Sequence, residues 1–197
     1  GNYSMGKRVH MSGPAKALSG ISAVAIECVD GGTVEDVSLR DIRFDGYLTP
    51  FFVRLARRHE PVDGRVSCLR NVLVENMRGR ADSPIASSIT GVPGLRPENI
   101  VVRDCDFTFP GGGSERDVEM LVGEMEKSYP DACMFDNLHL PAWAFYVRHA
   151  DRVVFDNVTC RRLLPDARRK YVFDDADVKI RPWQENDNVK SPSDKGE

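Results

Sequence analysis

Two segments of the chain place an aromatic side chain two positions before an arginine: Phe51-Phe52-Val53-Arg54-Leu55 and Tyr146-Val147-Arg148-His149-Ala150. Alternation along a strand that turns Phe51, Val53 and Leu55 inward turns Phe52 and Arg54 outward, and it does the same for Tyr146 and Arg148. A guanidinium grips a carboxylate with two parallel N–H donors, and an aromatic face suits a sugar ring. Arg54, Arg148 and Tyr146 are therefore candidates for binding a carboxylated sugar, with Arg57, Arg58 and His59 extending them as a basic loop. Surface salt bridging and a solvated loop are the alternative uses of these residues.

Two acids stand near the start of the chain. Glu27 points outward from its strand, and Asp30 enters the Gly31-Gly32 turn, which is itself a sufficient reason for an Asp there. Either could serve as an acid, and a small enzyme using Glu27 or Asp30 is an alternative reading, but no catalytic residue is assigned. His10, His139 and His149 lack spaced partners for a metal site or a triad, and no metal or cofactor is inferred. The five cysteines show no CxxC pair, and their odd number leaves at least one thiol free.

The elements that must position these residues follow from a repeat. Apolar residues recur at i, i+2, i+5 and i+7: Val37, Leu39, Ile42, Phe44; Val72, Val74, Met77, with Gly79 in the last place; Ile100, Val102, Cys105, Phe107; Val153, Phe155, Val158, Cys160; and Val178, Ile180, Trp183. A step of two stays on one face of a strand, while the step of three shifts the phase, so the chain must turn a corner there. The corners carry Arg40-Asp41, Glu75-Asn76, Arg103-Asp104 and Asp156-Asn157, and Asp36, Asn71 and Asn99 precede three of the copies. Asn and Asp tolerate left-handed backbone and bond it locally. A third strand precedes most copies, at 24–28, 51–55, 86–90, 144–148 and 171–173. Three short strands per repeat describe an all-β solenoid, a parallel β-helix of about five coils. A β-sandwich would leave the recurring phase shift unexplained.

Around that stack the expected organisation is an irregular segment over 1–20, coils over 21–183, an insertion at about 110–143 and a polar tail over 184–197. Within the insertion a helix is expected from Glu115 to about Lys127, capped by Ser114 with Asp117 and presenting Val118, Leu121, Val122 and Met125 on one face. Asp174-Asp175 reads as a coil corner. With 197 residues, 41% hydrophobic, one core is expected, and a charge of -3 from 27 basic and 30 acidic residues argues against a nucleic-acid partner. No apolar run is long enough to span a bilayer.

Several stretches, in order, resemble glycoside hydrolase family 28, the polygalacturonase family: Ile26-Glu27-Cys28-Val29-Asp30-Gly31-Gly32, Pro50 to Arg58, Ser88-Ile89-Thr90-Gly91-Val92-Pro93-Gly94, Phe109-Pro110-Gly111-Gly112-Gly113 and Ala144 to His149. The resemblance implies a right-handed, single-stranded parallel β-helix, extracellular or periplasmic action on pectin-type polysaccharide, and hydrolysis with inversion. The family's Asn-x-Asp, Asp-Asp, Gly-His-Gly and Arg-x-Lys segments have no counterpart set in this chain. The expected role is therefore that of the later coils of such a hydrolase, binding polysaccharide or oligosaccharide without the acid and base. The competing expectation is a non-catalytic β-helix that binds polysaccharide or a protein, including its own copy through an open N-terminal coil.

Overall fold

The computed structural model describes residues 19–60, 64–135 and 139–182, together with the backbone of a short strand at Val189–Lys190. These residues form one twelve-stranded parallel sheet system with a single short helix. Its pairings fall into three ladders. In the first, β1 (Gly20–Cys28) pairs with the second half of β3 (Arg43–Leu55), then come β6 (Ser87–Thr90), the first half of β9 (Ala142–Asp156), the first half of β11 (Arg169–Arg181) and β12 (Val189–Lys190). The second runs through β2 (Thr33–Arg40), β4 (Cys68–Glu75), β7 (Glu98–Arg103) and the second halves of β9 and β11. The third joins the start of β3 to β5 (Arg78–Ala81), β8 (Asp106–Phe109) and β10 (Thr159–Arg162).

The repeat read from the sequence is the register of these ladders. Val37 pairs with Val72, Val72 with Ile100, Ile100 with Val153 and Val153 with Val178, while Leu39, Val74, Val102, Phe155 and Ile180 form the adjacent row. After the corner, Phe44, Gly79, Phe107 and Cys160 line up in the third ladder. Gly79 stands where a side chain does not fit: a Cβ there would lie 2.3 Å from the Phe44 carbonyl oxygen and 2.5 Å from its ring. The rings of Phe44 and Phe107 fill that space from either side, 6.2 Å apart. Trp183, the last residue of the fifth copy, lies outside the described residues, as do His10 and residues 1–18.

The polar corners have the backbone expected of them. Asp41, Asn76, Asp104 and Asn157 sit at φ of 58, 52, 51 and 55°, and Asp36, Asn71 and Asn99 at 57, 57 and 54°. Their side chains also bond along the stack, with Asn71 Nδ2 donating to Asp36 at 2.9 Å, Asn99 Nδ2 to Asn71 at 2.8 Å and Asn157 Nδ2 to Asp104 at 2.6 Å. Beside them Arg40, Glu75, Arg103 and Asp156 alternate in charge from strand to strand. Asp175 has φ 48°, so the Asp174-Asp175 pair is a corner too.

The insertion departs from the helix expected over 115–127. Helix α1 covers only Glu115–Val118, with the Asp117 carboxylate accepting from the Ser114 N–H as the capping reading requires. Beyond it Met125 adopts φ 49°, which no right-handed helix admits, and Leu121 is 97% exposed. A guanidinium occupies a carbonyl the longer helix would need, Arg148 donating to Val122 O at 2.6 Å, and Arg54 donates to Glu124 O at 2.5 Å. The segment instead lies as a strap over the outer face of the first ladder. There Val122, Met125, Ala132, Met134 and Phe135 pack with Leu48, Phe52, Tyr146 and Val172 in a second apolar cluster. At the insertion's base the buried Arg168 holds Asp166 and donates to the carbonyls of Pro84 and Leu140.

Candidate functional site

The outer face of the first ladder carries a polar row in register, from Glu27 through Arg54, Thr90 and Arg148 to Asp174. Phe52, Arg54, Tyr146 and Arg148 do face away from the main core, as alternation requires, but the strap covers them. Arg54 is 2% exposed. It donates to Thr90 Oγ1 at 3.3 Å, to Gly91 O at 3.0 Å and to Glu124 O, and burial lowers its pKa to about 10, with Arg148 reinforcing the shift and Glu124 and Glu126 opposing it. Arg148 forms ion pairs with Glu124 and with Asp174, the latter at 3.1 Å. Tyr146 is 2% exposed, and burial raises its hydroxyl pKa. These three residues hold the strap in place, and none presents an open binding group.

The basic loop after β3 is different. Its backbone is tied to the turn after β1, with the Arg58 N–H donating to Val29 O at 2.7 Å. Arg57 is exposed, and its carbonyl accepts from Lys127 Nζ at 3.0 Å. Arg58 grips Asp30 with two guanidinium nitrogens, one at 3.0 Å, which holds the Asp30 carboxyl below its ordinary pKa and raises that of the guanidinium. The same guanidinium lies 5.6 Å from the centre of the Tyr129 ring.

Asp30, Arg58 and Tyr129 border an open cleft of about 440 Å³, lined also by Glu27, Gly31 and Pro130 among others. Gly31 and Gly32, at φ 89 and 97°, form its floor as the chain turns from β1 into β2. The Gly31 N–H donates to Ser67 Oγ at 3.0 Å, and a second hollow containing Arg57 and Arg65 lies across Gly31. Tyr129 is 50% exposed. Glu27 is open to solvent on one side but crowded on the other. That crowding, the nearby Asp131 carboxylate and a weaker opposing pull from Arg58 leave its pKa raised to about 7. Asp131 is buried, and its Oδ1 accepts from the Cys133 N–H at 2.8 Å.

No family model, curated protein or solved structure matches this chain. The geometry of the cleft is thus the principal guide to function. Of the five candidate binding residues, Arg58 lines the cleft and Arg57 the hollow across Gly31, whereas Arg54, Arg148 and Tyr146 are occupied beneath the strap. Tyr129 and Pro130 carry no repeat signal, and they reach the cleft because the strap crosses the sheet beside Glu27. His139 bonds Asp117 at 3.0 Å, and among the described residues no group of three or more His, Cys, Asp or Glu side chains could hold a metal ion.

Proposed function

We propose that the three ladders constitute a single-stranded, right-handed parallel β-helix of polygalacturonase-like type. In this reading the chain is a pectin-binding region of an extracellular or periplasmic glycoside hydrolase, with the acid and base of hydrolysis outside it. The observation that carries the binding role is the cleft beside β1, where a half-exposed tyrosine and a guanidinium packed on that ring meet, with the exposed Arg57 in the hollow on the other side of Gly31. A sugar ring can lie on Tyr129 while Arg57, in the hollow across Gly31, takes a sugar carboxylate. The in-register stack and the ordered segments similar to the polygalacturonase family support the same reading.

The test is calorimetric titration of the chain with oligogalacturonides at pH 5.5, together with an assay for new reducing ends. Binding without hydrolysis is expected, weakened roughly tenfold by Tyr129→Ala and several-fold by Arg57→Ala, as for loss of an aromatic anchor and of a charged hydrogen bond. Absence of binding at every chain length would refute the carbohydrate reading. Hydrolysis that disappears in Glu27→Gln would make the chain an enzyme in its own right.

A second reading has its own supporting observation. Among the described residues β1 and β2 each pair on one side only, and Val37, Leu39 and Ile42 are half-buried where Val72, Val74 and Met77 are fully buried. A copy of the chain stacked on that end would cover them, and a concentration-dependent dimer in analytical ultracentrifugation is the outcome that favours it.

A further inference from the structure

We infer that two copies of the chain join through a two-fold axis at Ser38, each laying the open edge of β2 antiparallel to that of its partner. The inference rests on the second reading above, self-association through this end, and fixes its symmetry and its contacts.

The open end is made of strand edges. Among the described residues β1, β2 and the start of β3 each pair on one side only, with β3, β4 and β5 respectively. The Asp41 N–H donates to Glu75 O at 3.1 Å, toward β4. Successive backbone groups point to opposite sides of a strand, so Arg40 and Ser38 turn their N–H and C=O to the open side. Such an edge is a template for another strand. Behind it Val37, Leu39 and Ile42 are only half-buried.

A second copy could extend the ladders in parallel or meet them antiparallel, and charge separates the two. Parallel extension lays β11 of one copy against β1 and β2 of the next. With Val178 against Val37 and Ile180 against Leu39, Arg181 falls against Arg40, Asp177 against Asp36 and Asp174 against Glu27. Within the stack the Arg40 row instead alternates, through Glu75, Arg103 and Asp156 to Arg181. Three like-charge contacts thus oppose the parallel arrangement. The far edge of β11 is also taken by β12 at Tyr171 and Val172.

The two-fold arrangement removes these conflicts. It sets Val37 opposite the partner's Leu39, both inward, and Asp36 opposite the partner's Arg40, once on each side of the axis. Ser38 exchanges both backbone hydrogen bonds with its own copy. Asp36, Ser38 and Arg40 are exposed, and Arg40, held to Glu75 through Nε at 3.1 Å, leaves 58% of its side chain open. The next pair out, Glu35 with the partner's Asp41, is acidic, but Arg70 already holds Glu35 at 2.7 Å and Asn76 donates to Asp41. In the three-sided stack proposed above, the same axis brings β1 of each copy over the start of the other's β3, so the open edges are used up and assembly stops at two.

Sedimentation equilibrium of the full chain tests the pairing, with Asp36→Arg, Arg40→Asp, their equimolar mixture and Ser38→Pro, each checked for folding by circular dichroism. The stack already holds both residue types in these places: Arg152 precedes Val153 as Asp36 precedes Val37, at φ 52°, and Asp156 stands in the Arg40 row. The wild type is expected to dimerise, and each charge reversal to weaken the dimer about tenfold or more by setting like charges at two contacts. The mixture restores the dimer, because the mixed pair again sets Arg against Asp at both contacts. Ser38→Pro abolishes it by removing the N–H donated across the axis. Open-ended polymers, a dimer strengthened by Arg40→Asp, a mixture of folded variants that stays monomeric, or a Ser38→Pro dimer as tight as the wild type would refute the two-fold pairing while self-association stands. A wild type monomeric at every concentration would overturn the second reading and this pairing together, and protection of the Ser38 amide in that monomer would mark another segment of the chain as the occupant of the edge.

Discussion

At the residue scale, Arg54 shows how alternation fixes the face a side chain takes without fixing what covers that face. Alternation places it on the outer face, and there it is. It donates there to backbone from two distant parts of the chain, Gly91 and Glu124. Removing it leaves those buried carbonyls without a donor, so Arg54→Met is expected to destabilise the protein by about 2–4 kcal/mol in urea unfolding. Arg57→Ala, at an exposed position, is expected to cost less than about 0.5 kcal/mol. Equal effects would mean that the Arg54 contacts contribute no more than a surface charge. Tyr129 and Pro130 were beyond reach of the sequence for a different reason. Their place in the cleft depends on where the strap crosses the sheet, and no local spacing encodes that.

At the scale of the element, the ladders were legible and the insertion was not. The i, i+2, i+5, i+7 pattern fixes both the strand faces and the corners, because every copy must bury the same two strands around the same turn. The apparent helix over 115–127 fails because its spacing is only one condition for a helix. Gly123 weakens it by about 1 kcal/mol relative to Ala, and Val122 gives to Arg148 a carbonyl that the helix would need. Gly79 is the exception within the repeat that tests the stacking. Gly79→Ala must displace Phe44 backbone or ring, and a loss of about 1–3 kcal/mol in thermal or urea unfolding is expected from such overpacking. An unchanged stability would show that the Phe44 and Phe107 rows are not packed as closely as described.

At the scale of the whole molecule, the stack brings the first two strands, the loop after β3 and the strap together at one corner, and the cleft is where they meet. The elements are separated by up to about a hundred residues in sequence, so the corner exists only once the strands have stacked and the strap has closed over them. The row from Glu27 to Asp174 runs from this corner along the ladder under the strap, which links the site to the stability of the whole face. Amide hydrogen exchange at pH 5.5, with and without trigalacturonate, tests the central claim most directly. The account predicts added protection concentrated in Glu27–Gly32, Ala56–His59 and around Tyr129. Protection confined to the outer face of β4 and β7, or no protection at saturating ligand, would contradict it.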